Sequence, residues 1–145
     1  MKNTLAKDVL TGRSLVSAYE VVSVRAAAQL MKRHHCGSVV ITKHDAQLVG
    51  IFTESDLASR VVAANRDPDT TLLGEVMTPR PMTIGPHDTV LDAIRTMHEC
   101  RFHHLPYVED DRVTSVLCWV DLPLDDLSMM QPELRERTFL AERIW

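Results

Sequence analysis

The chain repeats itself, and this constrains its fold more than any single motif. Val24-Arg-Ala-Ala-Ala-Gln-Leu-Met31, leading on to Cys36-Gly-Ser-Val-Val-Ile41, lies on Val90-Leu-Asp-Ala-Ile-Arg-Thr-Met97, leading on to Phe102-His-His-Leu-Pro-Tyr107, at an offset of 66 residues. Ala27 falls on Ala93, Met31 on Met97 and Val39 on Leu105. At offset 65, Leu48-Val-Gly-Ile-Phe-Thr-Glu-Ser-Asp-Leu57 lies on Val113-Thr-Ser-Val-Leu-Cys-Trp-Val-Asp-Leu122, which sets Asp56 on Asp121. Each copy is one supersecondary unit, too short to bury a generous core alone, so the two must pack on each other.

Both copies carry the same local signals. Ser23 and Thr89 are expected helix N-caps, and Asp92, three residues after Thr89, nearly completes a capping box. Ala27, Leu30, Met31 and His34 recur at helical spacing, as do Ala93, Ile94, Met97 and Cys100. Short β-rich runs follow at 38–42 and 104–108. Polar turns at Lys43 to Gln47 and Glu109 to Arg112 lead to second apolar runs at 48–52 and 113–118, giving antiparallel strand pairs. A further helix is expected from Glu54 to about Asn65, with Leu57, Val61, Val62 and Ala64 on one side. Asp67-Pro68-Asp69-Thr70 is a turn signal. Gln131 to Trp145 reads as helical and too apolar for a solvated end.

Composition narrows the function. The 145 residues carry 16 Lys+Arg against 20 Asp+Glu, a formal net charge of -4, which argues against coating a nucleic acid. No apolar run has the length of a membrane span. The three cysteines, Cys36, Cys100 and Cys118, share no CxxC spacing and are odd in number, so a disulfide scaffold is not expected and a cytoplasmic setting is. The seven histidines show no structural-zinc spacing, so no metal is expected. No phosphate loop, nucleophile elbow or catalytic carboxylate pair is present, and no catalytic residue is assigned.

The repeat, with Leu48-Val-Gly-Ile-Phe-Thr-Glu-Ser-Asp56, Glu75-Val-Met-Thr-Pro79 and Arg101-Phe-His-His-Leu-Pro-Tyr-Val108 in that order, resembles a tandem cystathionine-β-synthase (CBS) domain pair, or Bateman module. The resemblance implies an α+β fold of two β-α-β-β-α repeats packed with pseudo-twofold symmetry. Residues 8–66 would form the first repeat, 67–75 a linker, 76–127 the second repeat and 128–145 a C-terminal helical tail. It further implies a regulatory, non-enzymatic homodimer that holds an adenosine-containing ligand between its repeats. AMP or ATP is the first expectation, with S-adenosylmethionine and NADH as alternatives, and a client protein would read the bound state. A scaffold that only dimerises or docks onto a client is the rival reading; nucleic-acid binding is a third, disfavoured by the net charge.

On this resemblance Asp56 would bind ribose, with Thr53 and Ser55 beside a phosphate path. A carboxylate accepts from two neighbouring hydroxyls at once. Thr53 and Asp56 equally fit a helix cap and its capping-box partner. Asp121 is the second-copy counterpart of Asp56, but Cys118, Trp119 and Val120 replace Thr53, Glu54 and Ser55, which points to a poor second phosphate site. His103 and His104 stand where family members place basic residues toward phosphate, and Gly37 and Ser38 are their first-copy counterparts. Gly37 either lets a ligand approach the backbone or ends the helix before it. Arg25, Lys32, Arg33 and Arg60 are candidates for a basic rim. Phosphate contact with the histidine pair would make AMP affinity rise as pH falls from about 8 to 6.

Overall fold

A computed structural model describes residues 4–10 and 14–122. The expected tail helix lies outside these residues. Helices α1 (Ala6–Val9), α2 (Val24–His34), α3 (Glu54–Asp56), α4 (Leu73–Val76) and α5 (Val90–Cys100) alternate with strands β1 (Ser17–Ala18), β2 (Ser38–Lys43), β3 (Gln47–Thr53), β4 (Thr78–Pro79), β5 (His104–Glu109) and β6 (Arg112–Cys118). One sheet has the order β1-β2-β3-β4, and a second pairs β5 with β6. This is the α+β fold that the resemblance implies.

The two halves obey the same rules. The Ser23 hydroxyl accepts from the amide of Ala26 at 3.1 Å, and the Thr89 hydroxyl from that of Asp92 at 3.1 Å. Asp92 returns the bond to the Thr89 amide at 2.9 Å, completing the capping box. That contact holds the Asp92 carboxyl below its ordinary range, since both hydrogen bonds favour the ionised form. Both helices end on a left-handed residue, His35 and Arg101. Gly37, for which ending the helix is one of two readings, is not that residue. Ala27 and Met31 are buried in one core and Ala93 and Met97 in the other, so these positions seal each helix to its own half. Cys100 and His34, in the last turn of each helix, are exposed.

Helix α3 departs from the expected regular helix over 54–65. It continues over Leu57–Val62 as π-helical turns, with the Ala63 amide bonding back to Ala58 O at 2.9 Å and Arg66 to Val61 O at 2.9 Å. The wider turn rotates the apolar stripe. Val61 stays buried, whereas Val62 is 68% exposed and Ala64 is exposed.

The halves are interlocked. Leu73 and Val76 of α4, in and just after the segment expected as a linker, are buried in the first core with Val24, Phe52 and Val61. Ala6 and Leu10, at the N-terminus, are buried in the second core with Val90, Leu105 and Leu117. The backbone repeats the arrangement. Leu73 N donates to Val22 O at 2.9 Å beside the cap of α2, and Ala6 N to Asp88 O at 3.0 Å beside the cap of α5. A third cluster of Val40, Ile51 and Val113, flanked by Leu48, Val108 and Val116, joins the two sheets face to face.

Candidate functional site

Between the repeats lies a cleft of about 630 Å³, walled by both copies. The first copy contributes Gly37, Ile51 and the turn from β3 into α3. The second contributes Arg101 to His104 and Cys118 to Val120. Thr78, Pro81 and Met82 close the side where the chain crosses between copies.

The turn at Thr53 is tied by its own side chains. Asp56 Oδ2 accepts from the Thr53 amide at 2.9 Å and from Thr53 Oγ1 at 3.2 Å, while Thr53 Oγ1 accepts from the Asp56 amide at 3.3 Å. The second oxygen, Oδ1, lies 3.5 Å from Arg60 Nε. Asp56 is 9% exposed and on the cleft wall. The capping role is therefore fulfilled through one carboxylate oxygen, with the other directed to a cation. Arg60 is itself engaged, donating through Nη1 to Val76 O and Met77 O, both at 3.0 Å. Of the four residues considered for a basic rim, Arg60 alone lines the cleft; Arg25 is instead paired with Asp69 on the surface.

Opposite stand the histidines. Both His103 and His104 line the cleft, His103 just before β5 and His104 as its first residue. Desolvation lowers the pKa of both; His104 falls to about 4, with His103 lowering it further and Asp121 opposing. The ligand-free pair is neutral at pH 7, and any proton uptake by His104 on anion binding starts from this depressed value. The His103 ring faces Trp119 at 6.4 Å between centroids. Gly37 has a specific steric reason. A Cβ there would sit 3.2 Å from Glu54 Oε2 and 3.3 Å from His104 Nε2, so the ends of these two side chains would have to shift by a few tenths of an ångström.

Six of the eight residues singled out from sequence meet at this wall: Gly37, Thr53, Ser55, Asp56, His103 and His104. Ser38 is buried in β2 and Asp121 is not on the wall. Asp121 Oδ2 accepts from the Cys118 amide at 3.0 Å, the counterpart of the Asp56–Thr53 contact. Sequence reasoning missed Thr78, Pro81, Met82, Arg101 and Phe102. The first three follow a crossover that local patterning does not report, whereas the last two immediately precede the histidines and were legible as their neighbours. Among the described residues no cluster of His, Cys, Asp or Glu could hold a metal ion, and no helix is long and apolar enough to cross a membrane.

The family model of the CBS domain matches residues 6–63 and again 73–122. The chain is 41% identical over 98 residues to the CBS domain-containing protein CBSCBSPB3 of Arabidopsis thaliana, covering 68% of this chain but only 17% of that relative's length. The fold is similar to a CBS domain protein from Pyrobaculum aerophilum solved with AMP (25% identity, TM-score 0.77, 87% of this chain and 99% of that one). It is also similar to the CBS domain pair of protein MJ0100 solved with 5′-methylthioadenosine and S-adenosyl-L-methionine (26% identity, TM-score 0.75, 86% and 99%). Matched by the family model in both halves and interlocked as one unit, the chain belongs to the CBS domain family and carries a tandem pair of these domains.

Proposed function

We propose that this pair is a regulatory module that binds an adenosine-containing ligand, AMP-like or ATP-like, in the cleft between its repeats. The carrying observation is the cleft itself. It has the volume of a small-molecule pocket, it is walled by both copies, and it holds a nearly buried carboxylate at the head of a helix. AMP in one similar structure and S-adenosyl-L-methionine in another support the ligand class. Because both copies form the wall, occupancy favours one inter-repeat arrangement over another. A client protein with unequal affinity for the two arrangements would read the difference. Calorimetry with AMP, ATP, adenosine, S-adenosylmethionine and NADH tests the reading, which heatless titrations with all five would remove in favour of a docking scaffold.

Asp56→Ala has two expected effects. Loss of the capping box costs about 1 kcal/mol of stability. Loss of a charged acceptor for the ligand lowers affinity by about 1–2 kcal/mol, or roughly tenfold. Urea unfolding and calorimetry on the same sample separate them, and Asp121→Ala, off the wall, should lower affinity less. Unchanged affinity in Asp56→Ala would remove that residue from the site.

The pair is expected to be a homodimer. Val21 and Val62, at 75% and 68% exposed, are aliphatic surface that a partner would cover. Light scattering after gel filtration should give twice the chain mass at low micromolar concentration, and a monomer mass there would rule the dimer out.

A further inference from the structure

We infer that Arg101 is the anion-recognising residue of the cleft, the side chain that lets the pocket prefer a phosphorylated adenosine ligand over adenosine itself. This inference rests on the adenosine-ligand reading above. Two arginines line the cleft, and they are not equivalent. The guanidinium of Arg60 is held by two backbone carbonyls and faces Asp56, so its charge is already compensated. Arg101 is exposed and is not among the side chains that form hydrogen bonds or ion pairs within the described residues. The other charges on the wall are the carboxylates Glu54 and Asp56, which repel an anion. The remaining cationic candidates, His103 and His104, are kept neutral by burial. A phosphate entering the cleft thus finds one uncommitted full positive charge, and guanidinium is well shaped for it, with paired N–H donors matching two phosphate oxygens.

The backbone adds a second, independent observation. Arg101 directly follows α5 and sits at φ 58°, ψ 37°. At a helix end in this left-handed conformation glycine is the favoured residue, and any other side chain carries a conformational cost. Of the eight described non-glycine residues with positive φ, Arg101 is the one that lines the cleft, so the left-handed helix end sets this side chain at the pocket wall. Its counterpart after α2, His35, has the same left-handed backbone but does not line the cleft. Position on the cleft wall, not backbone conformation, therefore distinguishes the two otherwise matching helix ends.

The test measures AMP and adenosine affinity by calorimetry, at one pH and salt, for wild type, Arg101→Gln, Arg101→Lys and Arg101→Gly, with thermal unfolding of each. Arg101→Gln is expected to weaken AMP by about tenfold or more while changing adenosine less than about twofold. Arg101→Lys should recover part of the AMP preference, because the charge remains but the paired donors do not. Arg101→Gly should lose AMP affinity like Arg101→Gln yet unfold at an equal or higher temperature, which a merely structural role does not allow. An unchanged AMP-to-adenosine ratio in Arg101→Gln overturns the assignment, and so does an equal loss for both ligands. Wild-type protein that binds neither overturns the assignment, and the underlying ligand reading falls with it only when ATP, S-adenosylmethionine and NADH also give no heat. Wild type that binds both equally leaves that reading standing and overturns this one.

Discussion

Acidification from pH 7 to 4.5, without ligand, should cost the protein a large share of its stability through one side chain. His104 sits on the cleft wall with its pKa lowered to about 4 by desolvation and by His103, against the pull of Asp121. In the unfolded chain the same imidazole titrates near 6.5. Between these values the unfolded state binds the extra proton and the folded state does not, so stability is full above about pH 6.5 and falls as pH drops toward 4. The gap corresponds to at most about 3 kcal/mol, at roughly 1.36 kcal/mol per pKa unit. His103 shifts in the same direction and adds to the loss. The capping carboxyl of Asp92 acts lower, below the ordinary carboxylate pKa of 3.8, and leaves this window clear. Urea unfolding at pH 7, 6, 5 and 4.5 measures the slope. His104→Gln should flatten most of it, and an undiminished slope in that variant would return the acid sensitivity to other groups.

Gly50→Ala should destabilise the first repeat by about 2–3 kcal/mol, at the upper end of overpacking. Gly50 pairs with Pro79 where β4 joins β3. An added Cβ would lie 2.5 Å from Met77 Sδ and 2.8 Å from Thr78 O. The thioether can swing away, but the carbonyl is backbone, so β4 must shift. Reduced freedom of the unfolded chain returns only about 0.4–1 kcal/mol. Ile51 and Thr78, the next pair in the register, both line the cleft, so ligand affinity should fall with stability. Gly74→Ala is the milder comparison: its nearest contacts, Glu20 Cβ at 3.2 Å and Glu20 O at 3.5 Å, ask for a shift of only a few tenths of an ångström, and it lies in α4, where alanine is the better helix former. A Gly50→Ala unfolding midpoint equal to wild type would mean that β4 is not held where the pairing places it.

These two positions show unequal legibility. Gly50 lies inside a strand that periodicity identifies, yet nothing in Leu48-Val-Gly-Ile-Phe52 says that Met77 will pack on it. His104 could be placed near the cleft from its strand position. Its depressed pKa depends on how tightly the first copy closes over it, which no local pattern encodes.

What the sequence determined by itself is local and periodic: the repeat, the caps at Ser23 and Thr89, the paired strands, and the Thr53-Glu-Ser-Asp56 turn. Each rests on contacts between residues within a few positions of one another, or on identity between two copies. The tertiary structure decided the exchange of lead-in segments. Val9-Leu10-Thr11 repeats Val76-Met77-Thr78 at offset 67, a faint echo that precedes the wrong copy in chain order. Ala6 and Leu10 nevertheless complete the second core, and Leu73 and Val76 the first. The physical reason is that apolar burial is non-directional and blind to chain order. It fixes that each core must be filled, while the geometry of two packed sheets fixes which segment reaches it. The same packing selected Arg101 over Arg60 as the uncommitted cation, because commitment to Val76 O and Met77 O exists only once α4 has docked on the first repeat.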